Sequence, residues 1–147
     1  MEKITIIPMA ADHAGFELKE YLKQNLVKKG YEIKDYGTFS NESVDYPDII
    51  HPIAKDVNTG MYSKAIIICG TGNGVQMVAN KYENIRCALC WKKEIAELAV
   101  QHNNANMIAL PARFIEQEEA LDIVKTFLDA TFEGGRHLRR IKKIPIK

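Results

Sequence analysis

The feature that most constrains this chain is a regular alternation of short β-branched runs with longer stretches of helical periodicity. The short runs predict strands over residues 4–8, 32–35, 65–69, 86–90 and 106–109. The stretches between and after them predict helices over residues 16–29, 49–58, 75–81, 92–102 and 116–131. Residues 65–69 are apolar without a break, which is typical of a strand buried on both faces. The alternation therefore predicts an α/β fold, a three-layer α-β-α sandwich on a doubly wound, five-stranded parallel sheet of Rossmann or flavodoxin-like type.

Chain length and net charge limit the number of domains and the classes of partner that we expect. With 147 residues there is room for one core, so we expect a single domain over residues 1–147 that ends in a basic arm from about residue 133. A net charge of +1 argues against nucleic acid or an anionic membrane as a partner. The first apolar stretch is too short for a signal peptide or a membrane span, and three unevenly spaced cysteines favour free thiols. We therefore expect a cytoplasmic protein.

The most specific motif in the chain follows the third predicted strand. Open α/β sheets bind ligands beyond the carboxyl ends of their strands, and here residues 69–74 read C-G-T-G-N-G. Three alternating glycines let successive backbone N–H groups converge on an anion just before a helix begins. The spacing is neither the dinucleotide pattern G-x-G-x-x-G nor a P-loop. Such N–H donors favour a thiolate, so Cys69 is a candidate base or nucleophile; the alternative is an inert cysteine at the end of a buried strand.

Polar residues at two other strand ends carry weaker signals. Asp12 and His13 stand between the first strand and the first helix, where free N–H groups and the helix dipole suit a phosphate. A helix-capping Asp12 with His13 as a bystander is an equally good interpretation. Arg113 follows the fifth strand, again at the edge of the sheet where ligands bind.

The last third of the chain supplies a histidine and a pair of arginines. His102 and Asn103 end the fourth helix and offer an acid/base group beside an amide, or simply a helix terminus. Arg136 and Arg140 are four residues apart, so in a helix they would share a face and converge on one phosphate. A solvated basic tail is the alternative.

Neither a redox pair nor a metal site is expected. Cys87 and Cys90 fall inside a predicted strand, where residues three apart point to opposite faces, so we interpret both as structural. The histidines at positions 13, 51, 102 and 137 show no metal-ligand spacing. We therefore expect chemistry without a metal or an organic cofactor.

Taken together, these motifs resemble ribose-5-phosphate isomerase type B over nearly the whole chain. The resemblance rests on D-H-A-G at residues 12–15, D-Y-P at 45–47, the glycine motif at 69–74, H-N at 102–103 and E-G-G-R-H-x-x-R at 133–140. It implies metal-independent interconversion of ribose 5-phosphate and ribulose 5-phosphate through a cis-enediolate, in the pentose phosphate pathway. Because the family includes galactose- and allose-6-phosphate isomerases, a hexose phosphate is the alternative substrate. A non-catalytic phosphate-binding module is the competing function from another class.

The resemblance also implies a role for each candidate residue. Cys69 would move the proton, N–H groups of residues 70–74 would stabilise the oxyanion, and Thr71 would relay protons between hydroxyls. His102, with Asp12, would open the sugar ring. The residues expected to bind the sugar or its phosphate are His13, Tyr46, Gly70, Gly72, Asn73, Gly74, Asn103, Arg113, Arg136 and Arg140.

The family resemblance implies an oligomer as well. The expected state is a homodimer whose active sites combine residues of both subunits, with His102 and Arg113 reaching the partner's loop. Pairing of dimers into tetramers stays open. One branch of the family has Ser at the cysteine position and Glu in the next helix; Cys69, with Asn73 and Gln76 in that helix, favours the cysteine branch.

Overall fold

A computed structural model describes residues 6–146 of the chain. Strands and helices alternate along these residues until the last two elements, which are both helices. Their bounds are β1 Ile6–Ala11, α1 Phe16–Lys28, β2 Glu32–Asp35, α2 Tyr46–Asn58, β3 Ala65–Cys69, α3 Asn73–Ala79, β4 Cys87–Leu89, α4 Lys93–Asn103, β5 Met107–Pro111, α5 Gln117–Asp129 and α6 Arg136–Ile141. None of the helices within residues 6–146 has the length and apolar character needed to cross a membrane.

The five strands form one parallel sheet in the order β2-β1-β3-β5-β4. The chain winds outward from β1 to β2 and then back through β3, so a crevice opens beyond the carboxyl ends of β1 and β3. This arrangement confirms the predicted α/β class and the parallel five-stranded sheet. A flavodoxin-like sheet has the order 2-1-3-4-5, whereas here β5 lies between β3 and β4.

Different helices cover the two faces of the sheet because the side chains of each strand alternate. In β3, Ile66 and Ile68 pack in one cluster with α1, α4 and α5. Ile67 and Cys69 pack in a second cluster with α2 and α3 on the opposite face. The unbroken apolar run of β3 is therefore buried on both sides, which gives the three predicted layers.

Cys87 and Cys90 belong to opposite faces, as the strand periodicity predicts. Cys87 packs in the cluster with α2 and α3, and Cys90 packs in the cluster with α1, α4 and α5. Burial raises the pKa of Cys90 to about 12 and also raises the pKa of Cys87. Both thiols are thus neutral and inert near pH 7, which confirms their structural role.

Two close contacts position the turns around the crevice. A Cβ atom at Gly15 would lie 2.7 Å from Ile68 Cγ2, so only glycine lets the start of α1 approach β3 this closely. On the other side of α1, the fully buried Lys19 lies 2.7 Å from the Asp35 carboxylate at the end of β2. Burial acts to raise the pKa of Asp35, but hydrogen bonds from Lys19, the Gly37 N–H and Lys23 outweigh it and hold that pKa below its usual value.

Element boundaries depart from the sequence prediction where packing decides them. β1 runs to Ala11, beyond the predicted end at residue 8, because Met9 and Ala11 pair with β3. The predicted start of this strand, at residues 4 and 5, lies outside the described residues. α2 begins at Tyr46 rather than residue 49, and its early proline suits a first helical turn, where the missing N–H is not needed.

The segment from about residue 133, expected as a basic arm, lies against the body of the protein. The Glu133 N–H donates to the Gln101 carbonyl at 3.0 Å, and α6 packs on the end of α4. His137 is buried on the inner side of α6, with 7% of its surface exposed. Arg136 and Arg140 are exposed on this short helix.

Candidate active site

The loop of residues 70–74, here called the glycine loop, wraps its backbone around the thiol at the end of β3. The Gly72 N–H donates to Cys69 Sγ at 3.1 Å. Gly72 has a φ of +77°, a left-handed conformation that favours glycine, and a Cβ atom there would also push against the Leu89 side chain. The Asn73 N–H donates to Thr71 Oγ1 at 3.2 Å, which leaves the Thr71 side chain at the open side of the loop. This hydrogen bond fixes the sulfur at the start of the loop, next to its backbone N–H groups.

Two side chains lie directly on the glycine loop. A Cβ atom at Gly70 would lie 3.0 Å from Arg113 Nη1, and the Arg113 N–H donates to the Gly70 carbonyl at 3.0 Å. A Cβ atom at Gly74 would lie 2.7 Å from the Tyr46 ring, so this ring rests on the glycine. Arg113 therefore lies on the glycine loop of its own chain.

Asp12 and His13 line the same crevice at the end of β1. The Asp12 N–H donates to the Ile68 carbonyl, and Asp12 Oδ1 accepts hydrogen bonds from the N–H groups of Ala14 and Gly15 at 3.0 and 3.1 Å. The helix itself begins after Gly15, so Asp12 orders the turn rather than capping α1. His13 Nδ1 accepts the Val44 N–H at 3.2 Å, which places the proton of the neutral ring on Nε2.

The carboxyl edge of the sheet thus gathers one group of predicted residues, here called the thiol half-site. Its members follow β1, β2, β3 and β5, whose carboxyl ends meet at this edge. They are Asp12, His13, Tyr46, Cys69, residues 70–74 and Arg113. A thiol, backbone donors and two cationic or potentially cationic groups can together hold an anionic sugar phosphate and remove a proton from it.

The other predicted residues lie at the opposite edge. α4 returns from the carboxyl end of β4 to the amino end of β5, and 11 residues at 1.5 Å each carry the chain about 16 Å. His102 and Asn103 are at the end of this helix, and α6 brings Arg136 and Arg140 beside them. These four residues, here called the histidine half-site, are not brought together with Cys69 within one chain.

The histidine half-site contains a cluster that the sequence analysis missed. The rings of His102 and His137 stack with centroids 4.3 Å apart and planes 10° apart. Glu133 Oε1 lies 3.8 Å from His102 Nε2 and 3.7 Å from His137 Nε2. The spacing of the histidines along the sequence therefore did not reveal that His102 and His137 lie together. Glu133 precedes α6 and is not helical, so no helix periodicity indicated its contact with His137, and only tertiary folding brings His102 to both.

His137 is the least solvated member of this cluster. Its Nε2 atom has no hydrogen-bond partner among residues 6–146. Burial lowers the pKa of His137, and the positive charge of Arg136 lowers it further, against the opposing effect of Glu133.

Comparison with known proteins decides the family. The model of the Ribose/Galactose Isomerase family matches residues 7–144. The chain belongs to this family. The ribose-5-phosphate isomerase B of Escherichia coli strain K12 is 41% identical over 138 residues, a match that covers 94% of this chain and 93% of that protein. Family membership confirms the resemblance found in the sequence and makes the chain an isomerase.

Solved structures of the family share the whole fold. A ribose 5-phosphate isomerase from Thermotoga maritima is 49% identical and superposes with a TM-score of 0.94, covering 96% of this chain and 97% of that one. The ribose-5-phosphate isomerase B from Mycoplasma genitalium with bound ribulose-5-phosphate is 41% identical, with a TM-score of 0.91 and coverage of 97% and 95%. The five-stranded architecture is therefore that of the family.

Proposed function

We propose that this chain interconverts ribose 5-phosphate and ribulose 5-phosphate without a metal or an organic cofactor. The observation that carries the proposal is the Cys69 thiol, which accepts the Gly72 N–H at the ligand-binding edge of the sheet. Aldose–ketose isomerisation needs a base for the proton next to the carbonyl and donors for the oxyanion that develops. The bound ribulose-5-phosphate in the Mycoplasma genitalium structure supports this choice of substrate.

The proposed proton transfer uses the glycine loop and its thiol. Cys69, as thiolate, takes the proton from C2 of the open-chain aldose and returns it to C1, while the C–H bonding pair moves into the enediolate double bond. Backbone N–H groups of residues 70–74 stabilise the negative oxygen of this enediolate. Thr71, exposed beside the thiol, relays the remaining proton between the two oxygens. The Tyr46 ring on Gly74 holds the sugar hydroxyls.

The proposed ring opening and phosphate binding need both half-sites. His102, with Asp12 opposite, exchanges the protons that open the furanose ring, and Asn103 holds the open chain. His13 and Arg113 at the thiol half-site, with Arg136 and Arg140 at the histidine half-site, bind the phosphate. Binding energy at the phosphate then positions the reactive carbons over the thiol.

We therefore propose a homodimer in which the histidine half-site of one chain completes the thiol half-site of the other. Their placement at opposite edges of the sheet, between which α4 runs for about 16 Å, supports this arrangement. Large apolar side chains beside the glycine loop and β5 remain exposed: Met77, Trp91 and Phe114 are 64%, 47% and 72% exposed. Such a surface is suited to burial against a second subunit.

We also propose that the chain is a single domain and that it is cytoplasmic. Residues 6–146 contribute to one sheet and the helices on its two faces, which supports a single domain over the chain. The three cysteines are free thiols, which supports a reducing, cytoplasmic environment.

A comparison of substrates tests the proposed reaction directly. Coupled assays should measure kcat/KM for ribose 5-phosphate, allose 6-phosphate and galactose 6-phosphate with the same preparation. We expect the highest value for ribose 5-phosphate. A higher value for either hexose phosphate would assign the chain to the hexose branch of the family. Turnover of none of the three, with intact phosphate binding, would favour a binding module.

Exhaustive chelation should leave the isomerase active. The proposed proton transfer uses a thiol and backbone donors, so no step depends on a divalent cation. The measurement is the rate with ribose 5-phosphate before and after dialysis against a chelator, with the residual metal content determined. Loss of activity that a divalent cation restores would contradict the mechanism.

Replacing Arg136 or Arg140 with alanine should lower kcat/KM for ribose 5-phosphate by roughly 10- to 150-fold. A charge-assisted hydrogen bond contributes about 1.5–3 kcal/mol, and each guanidinium is expected to make one with the phosphate. Arg139 is the matched control, because about 100° of helical rotation separates it from Arg140 and its removal should matter far less. The measurement is kcat/KM for each of the three alanine variants. Unchanged kcat/KM in all three would assign Arg136 and Arg140 to a solvated surface.

A further inference from the structure

The cluster of His102, Glu133 and His137 has the chemistry of a transition-metal site. One ligand atom from each residue lies within 4.8 Å of the other two. Two imidazole nitrogens and one carboxylate oxygen are the donor set of many zinc sites that keep a fourth position open. Among the described residues, this is the only group of three such donors found close together.

The distances are close to those that a bound ion requires. Donor atoms about 2.1 Å from a tetrahedral ion are about 3.4 Å apart. The two nitrogen-to-carboxylate distances, 3.8 and 3.7 Å, exceed this by only a few tenths of an ångström. The rings are stacked, so His102 has to tilt for its lone pair to converge with the other two. Its side chain is 39% exposed and can do so.

The buried nitrogen of His137 is the second, independent observation. Nε2 points to the carboxylate of Glu133 but is too far from it for a hydrogen bond, and no other partner exists within residues 6–146. A buried polar atom without a partner is costly, and a bound cation would satisfy this one. An ion would also bridge the Glu133 carboxylate to both rings, since Oε1 lies 3.8 and 3.7 Å from the two Nε2 atoms.

We propose that His102, Glu133 and His137 bind one first-row transition-metal ion of the Zn²⁺ class, with water in the fourth position. Within one chain the site is separate from the glycine loop, and the ion takes no part in the transfer of the C2 proton. Its effect on turnover rests on the proposed function: an ion that holds His102 Nε2 removes the group assigned to ring opening, so binding inhibits the isomerase. Chelation would then protect activity rather than abolish it.

The binding test uses Co²⁺ as the probe, because its visible absorption reports ligand type and coordination number. The Cys69→Ala full-length chain is titrated, so that the active-site thiol cannot supply a ligand. We expect saturation at one Co²⁺ per chain, with the absorption of a nitrogen and oxygen site, and displacement by Zn²⁺, which ranks above Co²⁺ in affinity. Absence of saturable binding overturns the proposal.

Matched variants locate the site. Glu133→Gln and His137→Gln, made in the same Cys69→Ala chain, should weaken Co²⁺ binding by at least about tenfold, the effect seen even for outer-shell partners of metals. Glu133 is half exposed, so its variant keeps the test informative if His137→Gln does not fold. His51→Ala is the control, since His51 lies on α2 against Tyr82 and should bind no ion. Unchanged affinity in Glu133→Gln, or loss in His51→Ala, overturns the assignment.

An inhibition assay distinguishes failure of the proposed metal site from failure of the proposed isomerase reaction. With the wild-type chain, Zn²⁺ should inhibit turnover of ribose 5-phosphate at the concentration at which it displaces Co²⁺. In Glu133→Gln, inhibition relative to that variant's own metal-free rate should need at least about tenfold more Zn²⁺. Binding without inhibition supports the metal site and contradicts the role of His102 in turnover. Turnover without Co²⁺ or Zn²⁺ binding supports the reaction and overturns the metal site.

Discussion

Replacing Cys69 with alanine should lower kcat for ribose 5-phosphate by at least ~10²-fold, the low end of the contribution of a general base. The side chain accepts the Gly72 N–H and is 6% exposed, so its loss removes the proposed base with little change in surface or volume. The fold should persist, because the loop keeps other contacts, such as the hydrogen bond from the Arg113 N–H to the Gly70 carbonyl. Steady-state kinetics measure the effect on catalysis, and thermal unfolding shows that the variant is folded.

The other two cysteines provide the control for this experiment. Cys90 lies in the core, and its alanine variant should keep kcat while losing some stability. An alkylating reagent should modify Cys69 before Cys87 or Cys90, because burial raises the pKa of both of those thiols and leaves them neutral. Saturating ribose 5-phosphate should slow that modification. A Cys69→Ala enzyme with near-normal kcat would falsify the assignment of the base.

Most residues of the thiol half-site could be predicted from sequence because they depend on one rule. They lie at or just after the ends of predicted strands, and parallel strands place their carboxyl ends at one edge of a sheet. Asp12 after β1, Cys69 at the end of β3 and Arg113 after β5 therefore come together whatever the exact strand order, whereas Tyr46 was predicted only from the family resemblance. The glycine loop was a further signal in the sequence, since its alternating glycines let the backbone approach the thiol closely.

The contacts within the histidine half-site could not be predicted from the sequence. Strand–helix alternation places the end of α4 at the amino edge, but it does not say what packs against that end. The stacking of His102 on His137 depends on the path of residues 130–135, which have no periodicity to interpret. The position of β5 between β3 and β4 is likewise a tertiary choice, since both possible orders bury the same apolar side chains.

The separation of the two half-sites has a consequence for catalysis by mixed subunits. If each active site joins Cys69 of one chain with His102 of another, a dimer made of two different single variants can be active although each variant alone is inactive. A dimer of one Cys69→Ala chain and one His102→Ala chain contains one site with both residues intact and one site with neither. Activity should therefore reappear on mixing two inactive proteins.

Subunit exchange between Cys69→Ala and His102→Ala proteins should restore about a quarter of the wild-type activity per chain. Random pairing of equal amounts makes about half of the dimers mixed, and each mixed dimer carries one intact site of two. Mild denaturant followed by dilution allows the exchange, two affinity tags quantify the mixed dimers, and the coupled assay measures turnover. The double variant Cys69→Ala/His102→Ala is the control, since mixing it with either single variant produces no intact site. Mixed dimers that form without any recovery would show that each site is built from a single chain, because only a shared site gains a complete set of residues on mixing.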